Sequence, residues 1–354
     1  METLIGISML TLRPGQVGGS ETYARSLAAA LAEHGRLAYV CFVPPVATDA
    51  GDGLETVVVP EFLEGRQTAT KAAAMGLAAI RAGRIRRRFG RISAMHYPFT
   101  IPLPPARAPT AISLQDVLHH DEPRLFGRAE RLFRRFAYDR PARRADLVLV
   151  PTDHVRERIC EQLGVRPERV RTIHHAVDHA AFRPGPEEPE PYLFYPAKAW
   201  PHKNHQRLFA AFARFRSERP EFRLVLTGGS FSRPLPEGVD ARGHVPAVQL
   251  PALYRRASAL VFPSLHEGFG LPVLEAMASG CPVAASTAGS LPEVCGDAAV
   301  LFDPRDPESI ANGIGRAVDE RDSLRPRGLA RAAQFTWAAA ARGHDAAYAE
   351  LTDY

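Results

Sequence analysis

Apolar residues recur along this chain in two alternating rhythms. Short runs of consecutive or alternating apolar residues, at 3–10, 37–43, 55–59, 92–96, 110–114 and 147–150, read as strands. Helical spacing fills most of the gaps between them. The clearest case runs from about Ser20 to His34, with Leu27 and Leu31 on one face, small alanines between, and Gly35 to end it. The second half repeats the grammar, with strands at 192–195, 223–227, 259–262, 282–285 and 299–302. Helices are expected near 206–218, 250–257, 273–279 and 307–318. Alternating strands and helices predict an α/β fold with parallel sheets covered on both faces.

A break in both rhythms marks a boundary. Residues 183–191 read Arg183-Pro184-Gly185-Pro186-Glu187-Glu188-Pro189-Glu190-Pro191, a poor helix or central strand and a good exposed linker. The expected organisation is an N-terminal domain over 1–182, this linker, and a C-terminal domain over 192–337. A chain of 354 residues is long enough for two such domains.

Composition narrows the picture only a little. Hydrophobic residues make up 45% and charged residues 23%, the balance of a soluble globular protein. No apolar run approaches the roughly 18 residues that suggest a membrane span. The first ten residues carry no basic n-region, so no signal peptide is expected. Cys41, Cys160, Cys281 and Cys295 have no metal-ligand spacing and read as free thiols of a cytoplasmic protein. The net charge of +5, carried mostly by arginine, favours anionic partners.

One stretch carries the chemistry. Phe262-Pro263-Ser264-Leu265-His266-Glu267-Gly268-Phe269-Gly270-Leu271-Pro272 runs from a strand through a glycine-bearing turn into a helix that ends near Gly280. Gly268 and Gly270 allow close backbone approach to a ligand, and the helix start presents N–H groups to an anion. That is a diphosphate cradle without a Walker lysine. Glu267 stands before it and Glu275 about one turn inside the helix, two carboxylates suited to sugar or ribose hydroxyls. A second element, Tyr195-Pro196-Ala197-Lys198-Ala199-Trp200-Pro201-His202-Lys203-Asn204, places Lys198 and Lys203 between a strand and a helix. There they can neutralise a departing diphosphate.

These residues resemble a known pattern. The span from Glu267 to Glu275 is similar to the E-x7-E motif of retaining family-4 glycosyltransferases, which have the GT-B fold. Lys198 falls where relatives usually carry arginine, and Lys203 matches their lysine. The resemblance implies two Rossmann-like domains facing each other across a cleft, with a final helix, about 338–354, crossing back to the first. It implies that Lys198 and Lys203 contact the donor diphosphate and Glu275 the ribose. Glu267 and the amides of Gly268, Phe269, Gly270 and Leu271 would hold the sugar and phosphate. Gly243-His244-Val245 resembles the segment that reads the nucleobase, with Val245 in contact. Gly18-Gly19-Ser20 resembles the family's loop after the first strand, which approaches the donor. The alternative is a plain helix-capping turn with Ser20 at N-cap.

Two candidates for the sugar-facing polar wall follow strands in the first half. One is His96. The other is Asp116 with His119, in a stretch reading Gln115-Asp116 where many relatives read His-Asp. The arginines 81, 84, 86, 87, 88 and 91 read either as a solvated helix face or as a patch for anionic membrane or a lipid-diphosphate acceptor.

The expected activity is metal-independent, retaining transfer of a hexose, mannose-like, from a nucleoside diphosphate sugar. The acceptor would be a glycan, lipid-linked or small-molecule hydroxyl. No D-x-D triplet occurs, so neither a metal nor another cofactor is expected. Two readings compete. A GT-B epimerase or hydrolase would release free sugar without an acceptor. A non-catalytic partner subunit would have no need to keep both lysines and both glutamates. Nucleic acid is not an expected partner, since the arginines lack interleaved aromatics.

Overall fold

Two all-parallel sheets account for the alternation. The computed structural model describes residues 3–15, 18–62, 76, 80–229, 231 and 234–353. It divides into unit 1, Met1–His174 with Trp337–Tyr354, and unit 2, His175–Thr336.

Unit 1 carries β1 (Leu4–Ser8), β2 (Ala38–Val43), β3 (Glu55–Val58), β4 (Ala94–Tyr97), β5 (Thr110–Ser113), β6 (Leu147–Val150) and β7 (Val170–Thr172). Their order is β3-β2-β1-β4-β5-β6-β7. Ile7 pairs with Cys41 on one side and His96 on the other. Period-2 alternation feeds two cores: Tyr39, Cys41 and Val43 enter one, Val40 and Phe42 the other. Helices α1 (Gly19–His34), α2 (Ala82–Phe89), α3 (Leu118–Asp121), α4 (Arg128–Arg134), α5 (Arg140–Arg144) and α6 (Asp153–Leu163) accompany the sheet. Gly18, not Ser20, caps α1, and its φ of 57° with ψ of −130° is a backbone conformation for glycine.

Unit 2 carries β8 (Glu190–Pro196), β9 (Arg223–Thr227), β10 (Val239–Ala241), β11 (Ala257–Phe262), β12 (Val283–Ser286) and β13 (Val300–Phe302), in the order β10-β9-β8-β11-β12-β13. Helices α7 (His205–Glu218), α8 (Leu250–Arg256), α9 (Leu271–Ala278), α10 (Leu291–Cys295), α11 (Pro307–Asp319) and α12 (Arg321–Ala332) pack around it. Tyr192, Leu193, Phe194 and Tyr195 are all buried, which explains why β8 reads as a continuous apolar run. It begins at Glu190, inside the stretch read as linker.

The last helix, α13 (Trp337–Thr352), belongs to unit 1. Ala340, Ala341, His344, Asp345, Ala347, Tyr348 and Leu351 are its buried residues, and Ala341, Ala347, Tyr348 and Leu351 share a core with Leu27, Leu31 and Ala111. Among the described residues, no helix is long and apolar enough to cross a membrane.

Both sheets reverse their strand order beside their first strand, between β1 and β4 and between β8 and β11. Ligands of open α/β sheets bind at the carboxyl ends of the strands flanking such a reversal.

Candidate functional site

The loops that follow β8 and β11 are joined at the reversal in unit 2. Past β8, Lys198 lies over the Trp200 ring at 5.4 Å, and the chain makes a 3-10 turn, Pro201–Lys203. Asn204 then adopts φ 61°, and its Nδ2 donates to the carbonyls of Pro263 (3.0 Å) and Pro304 (2.7 Å). The Leu265 amide donates to the His202 carbonyl at 2.8 Å. These backbone ties bring Lys203 to Glu267, with Nζ 2.5 Å from Oε1 and both side chains mostly buried. Among the described residues, Lys198 has no carboxylate partner, so its charge is available to an anion.

The turn after Glu267 is built for close approach. Gly270 has φ 102°, and a Cβ there would lie 2.7 Å from Leu291 Cδ2. Helix α9 starts next, with Pro272 in its first turn and no side chain capping its N-terminus. Pro272 has no N–H and the Val273 amide donates to the Gly270 carbonyl at 2.9 Å, so the Leu271 amide is the one that this helix start offers a bound anion.

A third loop, after β12, holds the turn from behind. The Ser290 amide and hydroxyl donate to the Glu267 carbonyl at 3.1 and 3.0 Å, and the hydroxyl also lies 3.2 Å from the Phe269 carbonyl. A Cβ on Gly289 would sit 2.6 Å from the Glu267 carbonyl oxygen, so only glycine lets the loops meet. Gly289 and Ser290 escaped the sequence reading, because a Gly-Ser pair after a strand is an ordinary turn signal.

Glu275 lies in the second turn of α9 and accepts a 2.6 Å hydrogen bond from Tyr254, a fully buried tyrosine of α8. Burial pushes the Glu275 carboxyl up to about 6, against the lowering effect of that bond. Tyr254 was also missed; at sequence level it is one aromatic on an apolar helix face. Gly243, with φ 64°, accepts from the Gly228 amide at 2.8 Å and sets the turn after β10 that carries Val245, which is half-buried. Lys198, Lys203, Val245, Glu267, Gly268, Phe269, Gly270, Leu271 and Glu275 thus all belong to unit 2.

The unit 1 candidates fare differently. Gly18 and Gly19 open α1, and a Cβ at Gly19 would meet nothing within 4 Å. His96 does not follow a strand but lies within β4, at 0% exposure. Its Nε2 bonds Ser113 Oγ at 2.8 Å and its Nδ1 the Tyr348 hydroxyl at 2.7 Å. Burial holds its pKa well below the usual imidazole value, the nearby His344 adding to the effect. In this arrangement both nitrogens of His96 are engaged by protein groups and the side chain has no exposed surface. Asp116 accepts from the Leu118 amide at 2.9 Å and shapes the start of α3. His119 is turned into the protein, its Nε2 2.8 Å from Asp139.

Known proteins give this geometry a family. Residues 178–333 match the family described as Glycosyl transferases group 1, and residues 17–181 match Glycosyltransferase Family 4. The chain is 34% identical to the O-antigen chain mannosyltransferase B of Escherichia coli, over 54% of this chain and 58% of that protein. It is also 34% identical to an MMP alpha-(1->4)-mannosyltransferase of Mycolicibacterium hassiacum, over 54% and 50%. These matches span little more than half the length of those relatives. Among solved structures, sucrose-phosphate synthase from Thermosynechococcus elongatus superposes with a TM-score of 0.79, at 22% identity and 99% coverage of both chains. With residues 17–181 and 178–333 each matched by a family model and the charged groups of the E-x7-E motif near the sheet reversal, the chain belongs to the family-4 glycosyltransferases, of GT-B fold.

Proposed function

We propose that this protein transfers a hexose, with mannose favoured, from a nucleoside diphosphate sugar to an acceptor hydroxyl, retaining the anomeric configuration. The acceptor is a glycan, a lipid-linked saccharide or a small molecule. The observation that carries the reading is the convergence of Lys198, Lys203, Glu267 and the uncapped α9 N-terminus at the β8–β11 reversal. The names of the two mannosyltransferase relatives support the choice of sugar.

In this account the diphosphate lies against the Leu271 amide at the start of α9. The leaving group departs first, and Lys198 and Lys203 stabilise its growing negative charge. One such preorganised donor typically contributes a factor of about 10²–10³ in rate. The acceptor hydroxyl enters on the same face, and a departing phosphate oxygen takes its proton. Glu267, paired with Lys203, binds the sugar rather than attacking it, and Glu275 accepts from the ribose hydroxyls.

Two further features belong to this reading. The reaction needs no divalent metal, and unit 1 touches an anionic membrane surface. In support of the second, Leu132 (69% exposed), Phe133 (37%) and Phe136 (59%) stand among Arg128, Arg131, Arg135 and Arg140. Phe133 and Phe136 border an apolar cavity of about 730 Å³ rimmed by Arg140 and Arg144. Of the arginine cluster on α2, Arg88 pairs with Glu61 and Arg86 donates to the Pro105 carbonyl at that same cavity. Transfer that persists in EDTA, and flotation with acidic but not neutral liposomes, are the expected results. Metal-restored activity or equal partitioning would contradict them.

The main test is a thermal-shift panel with UDP, GDP, dTDP and ADP on wild type and Glu275→Ala. One nucleotide should raise the wild-type midpoint and leave the variant's unmoved. No shift with any nucleotide would overturn the donor site.

A further inference from the structure

His119 and His120 are consecutive on α3, and both point at one carboxylate. His119 Nε2 lies 2.8 Å from Asp139 Oδ1, and His120 Nε2 lies 2.8 Å from Asp139 Oδ2. The three ligand-capable atoms are within 4.8 Å of one another. The side chains of His119 and Asp139 are 3% and 2% exposed, and that of His120 15%, so the cluster is closed except beside His120.

The backbone is arranged to bring this about. Asp116 caps the amide of Leu118 and fixes the short α3. Asp139 is the last residue of a π-helical turn, Arg135–Asp139, between α4 and α5. Such turns insert an extra residue, reset the direction of the side chains around them, and are frequent at functional sites.

We propose that His119, His120 and Asp139 bind one divalent transition-metal ion, zinc being the class that suits them. Two imidazole nitrogens and a carboxylate are zinc-type ligands, whereas calcium and magnesium prefer all-oxygen sets. Zinc bonds of about 2.0–2.2 Å set neighbouring ligand atoms roughly 3 Å apart. With the three atoms within 4.8 Å of one another, an ion enters by drawing the imidazoles together by roughly an ångström. Each ring must offer Nε2 unprotonated, so its proton leaves or moves to Nδ1, and binding weakens as pH falls. The ion would pin the segment after β5 to the α4–α5 helix of unit 1. It takes no part in the transfer step.

The competing arrangement uses the same atoms without metal, both imidazoles donating to Asp139. Zn²⁺ titration against a chromogenic chelator, on chelator-stripped full-length protein, separates the two. Wild type, His120→Gln and Asp139→Asn are compared, and Co²⁺ serves as the spectroscopic probe. The proposal expects wild type to hold one equivalent that both variants lose, with Co²⁺ bands indicating nitrogen ligation that vanish in His120→Gln. Zn²⁺ should also raise the wild-type melting midpoint and not the variants'. Wild type that holds no more Zn²⁺ than His120→Gln, and gives the same Co²⁺ spectrum, would overturn it. If Asp139→Asn does not fold, His120→Gln at the open edge decides the question.

Discussion

Near the strand reversal of unit 1, polar side chains bond to one another; at the matching place in unit 2 they stand at the strand ends, short of partners. In unit 1, Tyr23 joins Ser113 (2.9 Å) and His344 (3.0 Å), and His96 links Ser113 to Tyr348. Every member is buried, and the network fastens α13 to β4, β5 and α1. In unit 2, Lys198 faces no carboxylate among the described residues, Lys203 has only Glu267, and α9 begins uncapped. Two sheets of like order thus use polarity for different ends. Buried and mutually satisfied, it specifies packing; half-buried at strand ends with Lys198 facing no carboxylate among the described residues, it suits an anionic ligand.

The sharpest break in this comparison is at Lys203. Lys203→Met should lower the transfer rate by about 10²–10³-fold. It also leaves the mostly buried Glu267 carboxylate without its partner, at a cost in stability of about 3 kcal/mol. Steady-state assays beside chemical denaturation check both; a loss of stability with normal turnover would place Lys203 with the unit 1 type of residue.

His96→Phe should cost stability alone. It leaves the buried Tyr348 hydroxyl without its partner, at a cost of about 1–3 kcal/mol, while Ser113 keeps its bond to Tyr23. The melting midpoint should fall while the nucleotide-induced shift survives. The same network makes unit 1 sensitive to acid. Burial lowers His344 to about 4, so the folded state takes up fewer protons than the unfolded one. Its contribution is present above the unfolded value of 6.5 and is lost as pH falls toward about 4.

The smallest effect concerns Glu275, whose carboxyl lies at about 6. Ribose hydroxyls donate to the ionised form, so donor affinity should weaken as pH drops through about 6 and lose this dependence in Glu275→Gln. A nucleoside diphosphate sugar is the right probe, because a terminal phosphate itself titrates near 6. In the free protein the sign is opposite. The raised pKa favours the protonated fold, and that contribution is lost as pH rises from 4.5 through about 6.

How legible each region was follows from the same difference. The unit 2 site was readable because its residues are close in sequence and framed by glycine and proline, as in 262–280. Unit 1 was less legible, because the burial of its polar residues depends on partners distant in sequence. His96 looked like a residue at a strand end, but β4 extends through Tyr97 and buries it against α13, about 250 residues away in sequence. The strands β7 and β10 went unseen because each is three residues long, contains a charged residue and lies at a sheet edge. Helices α10 and α12 escaped for related reasons: one is five residues long, and the other is arginine-rich with an internal proline. Tyr254, Gly289 and Ser290 act through partners that only the folded chain supplies.

The central claim is that the donor is held at the carboxyl edge of β8 and β11. Amide hydrogen exchange with and without the nucleotide selected by the thermal-shift panel tests it most directly. The account predicts added protection in peptides covering 197–204 and 266–276, with the peptide carrying His96 unchanged. Protection centred on His96, with 266–276 exchanging as before, would contradict it.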